Sequence, residues 1–298
     1  MSALTSPRSL LKNVAENFNQ ISIFKRSSTR RSTVIVYQKT KSGRDEEPEK
    51  PPLRKAASAA FKSIIPETKK FITEQKDIWT RSPMIECEHG NYEVLCRFNK
   101  QSEVDKWIVS TDSDNKGGKS TAEFTFSKNK TGWFHGNICK EVPKDGLTKY
   151  AGWANITTKT PKKSFFRETN WDWSLFNCIV FKVRGDGRPY NIVLGCNFYY
   201  DVNWLNRWTF PLYTRGGPYW QISKLPFSRF YLSHHGRIQD IQEYPCLSLV
   251  NSLGITVMDS AEGPFSLEIE SIALMYDVNL TEKHAYELFE DRNFQGNC

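Results

Sequence analysis

No apolar run in this 298-residue chain approaches the roughly 18–20 residues of a membrane-spanning helix, and no secretory apolar core is present. Cysteine is thin and unpatterned: seven residues, at 87, 96, 139, 178, 196, 246 and 298, with no C-x-x-C. An odd, scattered count argues against the disulfide framework of a secreted domain. Cys87-Glu-His89 has no second pair at ligand spacing, so no metal set is recognisable. The phosphate-cradling G-x-x-x-x-G-K-[ST] loop is missing, and no G-x-G-x-x-G turn joins a strand to a helix. Neither G-x-S-x-G nor H-E-x-x-H occurs. The reading therefore assigns no catalytic residue and no cofactor.

Acid is scarcest in the first 44 residues. They hold nine Lys/Arg against Glu16 alone, and so carry the whole formal net charge of +8. Residues 45–298 hold 32 bases and 32 acids. The basic balance thus belongs to an arm, and the body offers no charge for a nucleic-acid partner. Within the arm, Leu10, Val14, Phe18 and Ile21 share one quadrant of a helix, with Arg8, Lys12 and Arg26 opposite. Amphipathic, rich in Arg and Ser and nearly free of acid, residues 1–44 read as a mitochondrial transit peptide. The expected location is the mitochondrial matrix, possibly peripheral to the inner membrane through partners.

Residues 45–83 read as an acidic, proline-punctuated linker followed by a helical pair. Leu53, Ala56, Ala57, Ala60, Phe61 and Ile64 recur at helical spacing, and Pro66 is expected to end the first helix. This pair either packs on the main domain or serves as a docking element.

Residues 84–280 change character. Short runs rich in Val, Ile, Phe, Tyr and Trp alternate with Gly, Pro, Asn and Asp clusters. Period-two alternation is plain in Ile179/Phe181/Val183, Ile192/Leu194/Cys196 and Leu253/Ile255/Val257. Phe265, Leu267 and Ile269 alternate, and Ile272, Leu274 and Tyr276 continue in the opposite phase, as a β-bulge produces. The expectation is one all-β sandwich, with a short C-terminal helix in 281–298. Asp186-Gly187, between two such runs, predicts a hairpin. Of the aromatic group Trp171, Trp173, Phe198, Tyr199, Tyr200, Trp204, Trp208, Tyr213, Tyr219 and Trp220, about two-thirds are expected to be buried.

The order of motifs carries a resemblance. Trp107, Ser110-Thr-Asp112 and Gly117-Gly118-Lys-Ser120 precede Trp133-Phe134-His-Gly136 and Tyr150-Ala-Gly152-Trp153. Asp172-Trp173-Ser174 and Phe181-Lys-Val-Arg184-Gly-Asp-Gly-Arg188 follow, then Tyr219-Trp220-Gln221, Pro226-Phe227 and Gly263-Pro264-Phe265-Ser-Leu267-Glu-Ile269. Across 98–276 this series resembles the complex I intermediate-associated protein 30 family. The resemblance implies a galactose-binding-domain-like jelly-roll sandwich. It also implies a non-catalytic chaperone for a membrane-arm intermediate of mitochondrial respiratory complex I. Its implied partners are other assembly factors, including an acyl-CoA-dehydrogenase-like one.

Six residues combine charge or aromatic anchoring with predicted loop positions: Asp112, Arg184, Asp186, Arg188, Tyr219 and Trp220. They are the candidate partner contacts, and each has an equally good structural role. The alternative function is a glycan-binding module, which calls for exposed coplanar rings over a groove. A thiol- or carboxylate-dependent enzyme is the third reading, and calls for titratable groups converging in a pocket.

Overall fold

A computed structural model describes residues 53–80, 88–114, 118–142, 151–197, 206–234 and 236–286, with 53–63 followed as backbone. The chain divides into two compact units, 1–49 and 50–298, and all the described residues belong to the second. The basic arm 1–44 lies outside them, as do Phe198, Tyr199, Tyr200 and Trp204.

The body is a sandwich of two antiparallel sheets. In chain order the strands are β1 (Tyr92–Arg97), β2 (Trp107–Thr111), β3 (Thr121–Phe126), β4 (Gly132–Ile138), β5 (Ala154–Thr158), β6 (Cys178–Gly185) and β7 (Pro189–Cys196). They continue with β8 (Asn206–Tyr213), β9 (Gln221–Pro226), β10 (Tyr231–His234), β11 (Arg237–Ile238), β12 (Val250–Val257) and β13 (Gly263–Met275). Sheet A runs β3-β4-β13-β6-β9, with β1 also on β13, and sheet B runs β11-β10-β8-β7-β12-β5-β2. Successive strands repeatedly switch sheets, which is the jelly-roll arrangement.

Alternation decides what each face does. Ile179, Phe181 and Val183 of β6, with Ile192 and Leu194 of β7, are fully buried between the sheets. The phase change in β13 is real: pairing with β6 slips between Ile269 and Ser271, and Ile272 and Leu274 re-enter the core. Aromatic rings fill the intersheet space, including Phe134 against Phe265 at 4.9 Å and Phe98 against Phe124 at 5.4 Å.

Three local expectations need correction. Asp186-Gly187 does not close a hairpin, because β6 pairs with β13 and β9 in sheet A while β7 pairs with β12 and β8 in sheet B. The turn is an arch between layers, and Gly187 supplies its φ of +98°. The helical pair is one continuous helix, α1 (Leu53–Thr80), with Pro66 inside it. Pro66 is exposed, and the contacts that hold the helix follow directly after it. Residues 281–286 form bends, not helical turns, and the rest of the expected C-terminal helix lies outside the described residues.

Helix α1 packs on the 162–167 loop. Glu74 accepts bonds from the Ser164 amide and hydroxyl at 2.6 and 2.8 Å and from Arg167 at 2.8 Å. Burial would raise the Glu74 carboxyl, but the Ser164 amide, the Ser164 hydroxyl and Arg167 outweigh it and hold it below its ordinary value. Glu67 accepts from the Phe165 amide at 2.7 Å, and Lys70 donates to the Lys162 carbonyl at 3.0 Å. These bonds help hold Phe165 in the left-handed region, φ 57° and ψ 34°, where its ring meets Phe71 at 6.3 Å.

Candidate functional site

The solvent face of sheet A is built by the residues that alternate with its core. Because Phe181 and Val183 point inward, Lys182 and Arg184 of β6 point outward. The same rule sets Trp133 and His135 of β4 and Ser266, Glu268 and Glu270 of β13 on that face. Register lines them up: Glu268 of β13 stands between Trp133 of β4 and Arg184 of β6. Arg184 donates to Glu268 at 2.7 Å, and Lys182 lies 2.7 Å from Glu270. Trp133 stacks on His135 at 3.7 Å and donates its indole N–H to Ser266 at 2.9 Å. Charge is therefore balanced across the strands, so aromatic and apolar surface dominates what the face offers.

At the β6–β9 edge this face gains its large exposed rings. The Arg184 guanidinium lies 5.1 Å from the centre of the Trp220 ring, and Lys182 6.0 Å. Tyr219 is 80% exposed, Tyr213 70% and Ile222 67%, with Trp220 at 37%. The loop carrying them is pinned. Gln221 donates to the Tyr213 carbonyl and the Ser223 hydroxyl, each at 2.7 Å, and accepts from the Arg215 amide at 3.0 Å. Thr214 accepts from the Gly187 amide at 2.9 Å and donates to the Arg188 carbonyl at 2.8 Å, which ties this loop to the arch. A shallow depression of about 170 Å³, lined by Arg184, Asp186, Pro218 and Glu268 among others, separates the rings from β13.

The six sequence-predicted residues fall into two groups. Arg184, Tyr219 and Trp220 come together on this face. Asp186 lines the depression, but its carboxyl accepts from the Arg188 amide at 3.0 Å, the Tyr190 hydroxyl at 3.1 Å and the Ser266 amide at 2.8 Å. Burial first, and Asp186 second, push the Tyr190 phenol far up, so it stays a hydrogen-bond donor.

Arg188 turns away from the face. It forks onto Asp259 at 2.6 and 2.8 Å and caps the carbonyls of Gly263 at 3.1 Å, Pro264 at 3.0 Å and Ala261. Asp259 would be raised by burial, but the Arg188 bonds outweigh that and hold it below the usual carboxylate range. Asp112 sits in sheet B's 110–120 connection, only 3% exposed. It accepts from the Ser120 amide at 2.9 Å, the Ser120 hydroxyl at 2.8 Å and the Gly152 amide at 2.7 Å. Gly118 is required beside it, since a Cβ there would stand 2.1 Å from the Asp112 carbonyl oxygen. Asp112 and Arg188 are thus ties within the fold, with no side chain left to offer.

Sequence reasoning passed over Trp133, His135, Ser266, Glu268 and Ile222. The signal was present: wherever the inward phase of a strand is known, its outward residues follow by parity. Among the six described rings of the aromatic group, Trp173 and Trp208 are buried and Trp171 half-buried, fewer than the two-thirds expected. Trp171 and Trp173 stack on each other at 5.9 Å with Trp173 buried, so this pair is no platform for a sugar.

Comparison with known proteins follows the geometry. The family described as complex I intermediate-associated protein 30 matches residues 96–269. The mitochondrial protein of that name from Drosophila melanogaster is 40% identical over 252 residues, 84% of this chain and 85% of its own length. The Mus musculus protein is 37% identical over 65% of this chain and 59% of its own length. The Caenorhabditis elegans protein, named as a probable member, is 40% identical over 67% of this chain and 59% of its own. Among solved structures, the family 11 carbohydrate-binding module of Clostridium thermocellum overlaps 64% of this chain and 98% of its own, at TM-score 0.44 and 15% identity.

Proposed function

The chain belongs to the complex I intermediate-associated protein 30 family, and from that premise we propose that it is an assembly factor for mitochondrial respiratory complex I. It acts by binding alone. The protein holds a membrane-arm intermediate, covers surface that later subunits will bury, and leaves when they arrive. Other assembly factors, including an acyl-CoA-dehydrogenase-like one, share that intermediate. The basic arm 1–44 serves as the import leader to the matrix, and any inner-membrane association runs through the partners.

The observation that carries this reading is the pinned cluster of Tyr213, Tyr219, Trp220, Ile222 and Arg184 on a charge-balanced sheet face. Tyr, Trp and Arg are the residues that concentrate binding energy at protein interfaces, and rigid presentation lowers the ordering cost of using them. A non-catalytic role is supported by the cysteines of the body. Burial raises the Cys178 thiol to about 11 and the Cys196 thiol to about 12, the reverse of what a nucleophilic thiolate needs.

Affinity capture of the tagged protein from mitochondria tests it. Complex I subunits co-elute with the native chain, and a Tyr219→Ala/Trp220→Ala variant loses about tenfold or more of that capture at unchanged melting temperature. Equal capture by the variant refutes the face. Normal complex I abundance on native gels after deletion of the gene refutes the assembly role.

A further inference from the structure

A second feature lies at the other end of the sandwich, where β2 begins and β5 ends. A cavity of about 330 Å³ opens between the sheets, walled by Leu95, Leu253, Pro161 and the rings of Trp107, Trp171 and Trp173. This volume sits at the small end of pockets that hold organic ligands. Trp173 is 2% exposed and Trp107 6%, and the indole N–H of each is buried with no hydrogen-bond partner among the described residues. Proteins avoid that state, since a buried donor has given up water and received nothing in return. Two such donors among the walls of one cavity are a stronger signal than either alone.

The rest of the lining says which kind of group would complete them. The acceptors present are already engaged: both Glu103 oxygens take Lys106, at 2.7 and 2.8 Å, and the Thr158 hydroxyl oxygen takes the Leu253 amide at 3.0 Å. Lys159 reaches across to the Asp105 carbonyl at 2.6 Å. The lining residues Glu103, Lys106 and Lys159 leave one net positive charge at the rim. Cys96 adds a thiol that burial raises, against the opposing pull of the Trp107 indole N–H, so it stays neutral. An apolar chamber with spare donors and a cationic rim is suited to an acceptor bearing negative charge on an apolar body.

We propose that this cavity binds a small monocarboxylate with an apolar tail, of the class of short-chain fatty or arylalkanoic acids. The carboxylate accepts from the Trp107 and Trp173 indole groups, and the tail lies against Leu95, Leu253 and the Trp171 ring. The site is separate from the sheet A face and does not rest on the assembly role.

Titration of the full chain, ¹⁵N-labelled at tryptophan, with octanoate tests the proposal. Two indole N–H signals shift downfield and saturate, and they are the two missing from the Trp107→Phe and Trp173→Phe spectra. Calorimetry gives octanoate binding that Trp173→Phe weakens about tenfold, since the ring is kept and only the donor lost. Leu253→Phe, which fills the cavity and keeps both indoles, abolishes binding and serves where an indole variant fails to fold. Octanol or octylamine binding as well as octanoate overturns the proposal, as does octanoate binding that leaves all indole signals in place. So does an absence of saturation at millimolar octanoate.

Discussion

Replacing Asp112 by alanine removes three hydrogen bonds from a place that water does not reach. The Ser120 hydroxyl has another acceptor in the Cys139 carbonyl at 3.2 Å, so its loss is small. The amides of Ser120 and Gly152 have none printed beyond Asp112, and both are buried at that bond. Each stranded donor costs about 1–3 kcal/mol, so the pair costs about 4 kcal/mol. Against a total stability of about 5–15 kcal/mol this is a large fraction. At about 2–4 °C per kcal/mol for a domain of this size, the melting midpoint falls by about 8–16 °C. Asp112→Asn keeps one acceptor oxygen and falls by about half as much. Thermal melts followed by near-UV circular dichroism read both numbers. A drop of less than about 3 °C in the alanine variant refutes the reasoning, because water would then have replaced the carboxyl. The same experiment separates a fold tie from a partner contact: capture of complex I subunits should fall only as far as the amount of folded protein does.

Acid should weaken the body through Asp259. Its folded value is depressed, so its contribution is complete above the ordinary carboxylate value of about 3.9 and is lost as pH falls through the lowered one. Arg188→Met strands the carboxyl at a site where its side chain is only 7% exposed; it should cost about 3–5 kcal/mol at neutral pH and flatten the acid limb of melting temperature against pH. An acid limb unchanged in slope would rule out the pair as its source. Glu74→Ala releases α1 from the 162–167 loop, so trypsin should cut at Lys69, Lys70 and Lys76 faster while the melting temperature of the sandwich holds. Unchanged cleavage means the helix is held by its other contacts.

Legibility in the sequence followed the range of the force involved. Parity along a strand is local, and it placed Ile179, Phe181 and Val183 in the core correctly. The bulge in β13 was legible for the same reason, as a change of phase within one segment. The Asp186-Gly187 arch was not. Positive φ at the turn and alternating strands on either side are common to a hairpin and an arch, and only the sheet that each strand joins distinguishes them. That choice is made by β13 and β12, about 70 residues away in sequence. Pro66 misled in the opposite direction. Its cost to a helix is local and is about 3 kcal/mol. The bonds that Glu67, Lys70 and Glu74 make to the 162–167 loop are long-range and invisible in a helical pattern.

The candidate residues divide along the same line, and the division explains why charge was a poor guide. Asp112, Asp186 and Arg188 were chosen as polar residues in predicted loops, yet each is consumed by backbone groups. Loops are where the ladder stops supplying partners, so amides and carbonyls there must find them in side chains. A short carboxyl or a forked guanidinium in a turn is therefore as readily a tie as a contact. Tyr219 and Ile222 behave differently, because an aromatic or branched apolar side chain satisfies no backbone group. When such residues stand exposed on a loop that is otherwise pinned, the fold gains little from them. The same logic singles out Trp107 and Trp173 from the other direction. Their rings are explained by the core, but their N–H groups are not. In both places the residue to examine is the one whose chemistry the fold itself leaves unused.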